Sequence, residues 1–249
     1  MSEAAAPRAP GPLALVGSGE YLPAMAGLEG ELIAGRPPRY VQLATAAVPD
    51  GPAVVEKWHR LGQQQAERLG VEAVVVPVAT RGDADDPALA RMVDGAGLIY
   101  LSGGNPAYLA DTLRGSAVWH AIVAAWEAGA SLAGCSAGAM AMAARVPSWR
   151  HPVRGATDGL GLLPHIRVIP HFDVMVGRFP ERVTNWLVPD DPALTVIGVD
   201  EMTAVVGGPG AWTVSGTGSA WLLHPEGRIR VPAGTTFTVP TGGRPPTAG

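Results

Sequence analysis

The ten residues Ser131-Leu-Ala-Gly-Cys-Ser-Ala-Gly-Ala-Met140 constrain this chain more than any other stretch. They pass from a short apolar strand, through one sharp turn, straight into a helix. Inside them, Gly134-Cys135-Ser136-Ala137-Gly138 has the Gly-x-Ser-x-Gly spacing of a nucleophile elbow. Such a turn forces its middle residue into strained backbone and lifts that side chain clear of the sheet. Small residues two before and two after let the flanking backbone pass close by. The Ser136 hydroxyl then stands near the free N–H groups of a helix start, which favour developing negative charge.

The rest of the chain supplies the sheet that this elbow needs. Apolar strand patterns at 13–17, 39–45, 71–78 and 97–101 precede the elbow strand. Helical patterns at 52–70, 87–93, 107–113 and 119–128 lie between them. This alternation predicts an α/β fold, a mostly parallel sheet with helices on both faces. Right-handed crossovers bring the strand C-terminal ends to one edge, where ligand sites form in open α/β sheets. Strands over 166–172 and 194–201 are expected to continue the main sheet, with a helix over 178–188. An apolar stretch at 203–206 follows, after which the pattern changes to short strands at 212–214, 219–223, 227–231 and 235–239. That change predicts a small C-terminal antiparallel appendage on the main sheet. Residues 12–240 read as one domain, with tails at 1–11 and 241–249.

Composition narrows the partners. The 249 residues are 47% hydrophobic, enough for a large core, and carry a net charge of −4 with no basic cluster. Nucleic acid and anionic membranes therefore have no electrostatic support as partners. No apolar run is long enough to span a bilayer, and residues 1–12 lack the apolar core of a secretory signal. The single cysteine, Cys135, excludes an internal disulfide and suits a cytoplasmic setting. Neither paired cysteines nor a helical His-x-x-x-His indicates a metal site, so no cofactor is expected. Asp83, Asp85 and Asp86 read as a helix-capping cluster rather than metal ligands. Trp residues over 119–126 and 212–221 fit either the core or a homodimer interface.

A serine nucleophile needs a base, and the base needs an orienting acid. Of the six histidines, only His171 ends a clear buried strand. Asp200 and Glu201 end the next strand, so Ser136, His171 and Glu201 are expected along one sheet edge. Gly103 and Gly104, at the end of another strand, offer an oxyanion N–H together with that of Ala137.

These residues carry a resemblance. Gly17-Ser-Gly-Glu20, Leu101-Ser-Gly-Gly-Asn105, Gly134-Cys-Ser-Ala-Gly138, Gly159-Leu-Gly-Leu-Leu163, His171-Phe172 and Gly198-Val-Asp-Glu-Met-Thr-Ala204 stand in the order seen in the peptidase E/cyanophycinase family of serine peptidases. The chain resembles that family over roughly residues 13–240. The resemblance implies a flavodoxin-like fold similar to class I glutamine amidotransferases, no cofactor, and a small peptide substrate cleaved at aspartyl residues. It also implies Ser136 as nucleophile, His171 as base and Glu201 as acid. Asn105, Arg178 and Arg182 become the substrate-binding candidates, although ordinary surface arginines fit the last two equally well. Pro106 departs from the glutamine found in cyanophycin-cleaving members, and Arg178 and Arg182 are spaced differently from their arginines. Pro170-His171-Phe172 is similar to the peptidase E branch, which favours a small-peptide hydrolase.

Three other readings stay open. An α/β-hydrolase esterase would use Ser136, Asp200 and His224. A cysteine-dependent amidotransferase would need cysteine at the elbow, but Cys135 stands one residue early and is expected to point into the core. The same fold can also serve as a non-catalytic binding module.

Overall fold

The computed structural model describes residues 9–146, 157–176, 194–208 and 210–240. Five parallel strands make the centre of the main sheet: β1 (Leu13–Val16), β2 (Arg39–Leu43), β3 (Glu72–Val75), β4 (Leu98–Leu101) and β5 (Ser131–Cys135). Their spatial order is β1-β5-β4-β2-β3. The connecting helices are α1 (Ala26–Ile33), α2 (Pro52–Leu69), α3 (Arg81–Ala84), α4 (Pro87–Arg91), α5 (Pro106–Leu113), α6 (Ala117–Glu127) and α7 (Ala137–Ala141). Strand periodicity divides the side chains between two cores. Leu13, Leu15, Ile99, Leu101 and Leu132 pack with residues of α5, α6 and α7. Ala14, Val16, Tyr40, Tyr100 and Cys135 pack with α1 and α2. Each fully buried large side chain contributes about 1.5–3 kcal/mol, so both faces are strongly held. The expected mostly parallel sheet, covered on both faces, is the fold observed.

Downstream come β6 (Arg145–Val146), β7 (Thr157–Asp158), β8 (Ile166–Ile169), α8 (Phe172–Met175), β9 (Thr195–Val199), β10 (Thr203–Gly207), β11 (Ala211–Gly216), β12 (Ser219–His224), β13 (Gly227–Pro232) and β14 (Thr236–Thr238). Here the expectation needs correcting. The segments expected to extend the main sheet, now β8 and β9, instead pair in parallel with each other. Together with β12 and β13 they form a separate four-stranded sheet, in the order β13-β12-β9-β8. The reason is edge occupancy. With β5 on one side of β1, the other side is taken antiparallel by β10, in register Leu13↔Gly207. The late antiparallel strands are likewise shared out: β10, β11 and β14 extend the main sheet, while β12 and β13 complete the second. The helix expected over 178–188 lies outside the described residues.

Smaller details follow ordinary capping and packing. Asp83 forms a capping box with Thr80, and Asp86 accepts the Ala88 N–H at the start of α4. Trp119 and Trp212 are core residues. Trp126 donates its indole N–H to the Gly11 carbonyl at 2.7 Å, which ties Gly11 to α6. No helix among the described residues is long and apolar enough to cross a membrane.

One buried acid lies in the core beneath the parallel strands. Glu29 of α1 is fully buried beside Tyr40, whose hydroxyl donates to its Oε2 at 2.8 Å. Burial raises the Glu29 carboxyl from 4.5 to about 7. Between those two values the unfolded chain releases this proton while the folded chain keeps it, so stability is lost as pH rises through that window. Glu29→Gln is expected to gain on the wild type between pH 5 and pH 8, by up to about 3 kcal/mol. Urea unfolding midpoints at the two pH values measure this, and equal pH dependence in both proteins would refute it.

Candidate active site

At the end of β5 the chain enters α7 with a single residue between them, Ser136, at φ 49° and ψ −105°. Its N–H donates to the Val16 carbonyl at 2.9 Å, which fixes the turn to the end of β1. The turn is tight enough to require its glycines. A Cβ on Gly134 would lie 2.5 Å from the Gly138 carbonyl carbon, and one on Gly138 would overlap the Leu101 carbonyl oxygen. Strand β5, helix α7 and the end of β4 therefore meet backbone to backbone, with Ser136 partly exposed above them.

The second sheet delivers two more side chains to the same place. Its strands β8 and β9 run parallel in register Ile169↔Gly198, so their C-terminal ends lie side by side. His171 follows β8 in left-handed backbone, φ 50° and ψ 37°, and starts α8. Glu201 follows β9 in the turn before β10, where its N–H donates to Asp173 Oδ1 at 3.0 Å. His171 Nε2 lies 3.0 Å from Ser136 Oγ, and His171 Nδ1 lies 2.9 Å from Glu201 Oε1. A carboxylate only accepts, so Nδ1 carries the proton toward Glu201 and Nε2 is left to accept from the Ser136 hydroxyl. Side-chain exposures of 29% for His171 and 38% for Glu201 leave this line open to solvent and thus to a small molecule. Among the described residues, the non-glycine residues at positive φ are Tyr21, Ser136, His171 and Met202, and the last three belong to this cluster or adjoin it in the chain. Strained backbone of this kind persists where surrounding contacts over-determine it.

The other expected residues are placed as follows. Asp200 faces away from His171: its carboxylate accepts the Ser219 N–H and the Trp221 indole N–H, both at 2.9 Å. Burial raises its pKa, an effect its two donors partly offset. His224 sits beyond the Leu223↔Val196 pair, at the opposite end of β9 from Asp200. Five strand steps separate them, roughly 16 Å, so Ser136, Asp200 and His224 do not form a site. Cys135 is fully buried on the opposite face and donates its thiol to Glu20 Oε2 at 2.9 Å. Burial, reinforced by Glu20, pushes that thiol well up, which removes it as a nucleophile.

Two assignments change. The Gly103 N–H is engaged by Glu20 Oε1 at 2.9 Å, so Gly103 is not the oxyanion donor. The N–H groups of Gly104 and Ala137 have no acceptor among the described residues. Asn105 uses Oδ1 to cap α5 by accepting the Tyr108 N–H at 3.0 Å, with Pro106 at the first helical position. That is a structural use of Asn105, signalled in the sequence by Asn-Pro before a helix. Arg178 and Arg182 lie outside the described residues. Sequence reasoning passed over Glu20 and Asp173 as site residues. Glu20 had a signal in its position three residues after a glycine at a strand end, but its partners are distant in the chain.

Known proteins share this sequence pattern and fold. The model of peptidase family S51 matches residues 33–209. The crystal structure of a peptidase from an acI-B1 Actinobacterium is 42% identical, with a TM-score of 0.83 over 92% of this chain and 97% of that one. A Listeria monocytogenes EGD-e protein assigned as a peptidase E is 17% identical, with a TM-score of 0.56 over 90% of this chain and 99% of that one, and shares the fold. No curated protein matches the chain. With a family match over most of its length and a 42% identical peptidase of the same architecture, the chain belongs to peptidase family S51, the peptidase E family of serine peptidases.

Proposed function

We propose that this serine peptidase cleaves a small peptide or isopeptide, in dipeptidase fashion, with Ser136, His171 and Glu201 as its catalytic triad. The observation that carries the proposal is the unbroken hydrogen-bonded line from Ser136 Oγ through His171 to Glu201 Oε1, at 3.0 and 2.9 Å. Ser136 Oγ attacks the scissile carbonyl carbon while His171 Nε2 takes its proton. Glu201 holds the imidazole in the required tautomer and stabilises the imidazolium that forms. The tetrahedral oxyanion accepts from the N–H groups of Gly104 and Ala137. His171 then protonates the leaving amine, the C–N bond breaks, and an acyl-Ser136 ester remains. Water, deprotonated by His171, hydrolyses that ester and restores the free enzyme. Aspartyl specificity follows from the family resemblance, with Arg178 or Arg182 as the group that would pair with a substrate carboxylate. A cytoplasmic setting fits the single, reduced and buried cysteine.

A fluorophosphonate probe is expected to label the wild type and the Cys135→Ala variant but not Ser136→Ala. Equal failure of the wild type and Ser136→Ala to react would favour a non-catalytic role. Ser136→Ala and His171→Ala are expected to lower kcat by roughly 10⁴-fold or more, and Glu201→Gln by roughly 10³–10⁴-fold. Turnover retained in His171→Ala would refute the triad. A dipeptide panel containing Asp-X and β-Asp-X members, read by amine release, is expected to show cleavage of acidic members. Cleavage confined to non-acidic members would remove the aspartyl reading and leave the triad standing.

A further inference from the structure

We infer that Glu20 is a positioning residue for the oxyanion hole, locking the loop after β4 against the elbow. The inference rests on the triad proposed above. Glu20 stands in the loop after β1 and is buried, although it is a carboxylate and no cation pairs with it among the described residues. Burying such a group is costly unless its oxygens are satisfied, so its two contacts explain its presence. Oε1 accepts the Gly103 N–H at 2.9 Å, and Oε2 accepts the Cys135 thiol at 2.9 Å. One carboxylate thus joins the two segments that carry the oxyanion donors. Gly103 precedes Gly104, and Cys135 precedes Ser136 and Ala137.

The backbone shows why this matters. The peptide carrying the Gly104 N–H lies between two anchored peptides. On one side, the Gly103 N–H is held by Glu20. On the other, the Asn105 N–H donates to the Ala46 carbonyl at 2.7 Å. Gly104 itself sits at φ 138°, where only glycine rotates freely, so its peptide turns easily once one anchor is lost. The loop packs tightly on Glu20 and borders the nucleophile: a Cβ on Gly103 would lie 2.6 Å from Glu20 Oε1 and in ordinary contact, 3.5 Å, with Ser136 Cβ. Removing Glu20 frees one anchor and opens space under the loop, so the Gly104 N–H no longer holds one orientation. Oxyanion donors act chiefly in the transition state, so their misplacement lowers kcat with little effect on KM.

The chemistry also separates position from charge. Glutamine keeps a carbonyl oxygen for the Gly103 N–H and has the same length, while alanine keeps neither. The test is steady-state kinetics on the cleaved dipeptide, with thermal midpoints and fluorophosphonate labelling rates for each variant. Glu20→Ala is expected to lower kcat and the labelling rate by about 10–100-fold, with KM within threefold of wild type. Glu20→Gln is expected to recover at least a third of wild-type kcat. If Glu20→Ala does not fold, Glu20→Gln and Glu20→Asp carry the test: glutamine is expected to be active, and the shorter aspartate impaired in kcat. Wild-type kcat in Glu20→Ala would overturn the inference. So would a loss confined to KM, or equal kcat losses in the alanine and glutamine variants. An unreactive Ser136 in the wild type would instead refute the triad, which separates the two failures.

Discussion

Everything at the site depends on the close approach of Gly134 to Gly138 across the elbow. Backbone from a strand and from the first turn of a helix occupy the space where a side chain would stand. Only that contact lets the chain reverse within one residue, and only that reversal gives Ser136 its φ of 49°. Any Cβ at either glycine would push α7 away from β5 or from the Leu101 carbonyl. The serine would then relax toward ordinary backbone, and its hydroxyl would turn from His171. The strain at Ser136 is small beside the packing that imposes it, because α7 is buried along its whole length between the two sheets.

The elbow alone, however, makes only half of a site. The other half arrives on a sheet that, among the described residues, shares no hydrogen-bonded strand with the first. The chain joins the halves where it crosses between them. At one crossing β9 belongs to the second sheet and β10 to the main sheet, and the turn between them carries Glu201. The Gly17 N–H donates to the Thr203 carbonyl at 2.8 Å and so fixes the main-sheet end of that turn to β1. Glu201 therefore sits where the chain changes sheets, and its N–H is held by Asp173 from the segment that carries His171. An acid placed at such a crossing reports on both sheets at once, so base and nucleophile stay aligned although they belong to different layers.

Local patterns in the sequence carried the parallel core well, because each of those strands is apolar, short and followed by a helix. They carried Ser136, His171 and Glu201 for the same reason: each lies at the end of a strand whose boundaries are visible. Helix α1 was not legible, since Gly27 and Gly30 within Ala26–Ile33 blunt its helical pattern. The allotment of β8 and β9 to a second sheet was not legible either. Strand pairing depends on which edges remain free, and β10, which takes the edge of β1, comes later in the chain. Gly103 was misjudged because its N–H is consumed by Glu20, 83 residues earlier, a contact that no spacing rule reveals. Asn105 offered a readable cap signal that a functional interpretation overrode.

The neighbouring pair Cys135 and Ser136 shows how the fold, rather than intrinsic reactivity, selects a nucleophile. A thiol is the better nucleophile in water, and here the two stand side by side. As the last residue of β5, Cys135 still obeys strand alternation and points into the core of α1 and α2. There burial and the adjacent Glu20 carboxylate keep its proton in place. Ser136 is the first residue to escape that alternation, and it emerges beside His171. The thiol's usefulness is then structural, as a donor that satisfies a buried carboxylate. Exchanging the two residues would exchange both roles: the elbow would hold a thiol beside an imidazole, and a serine hydroxyl would replace the thiol as the donor to Glu20. The serine at the elbow and the cysteine beneath it are therefore two halves of one arrangement, divided between the faces of a single strand.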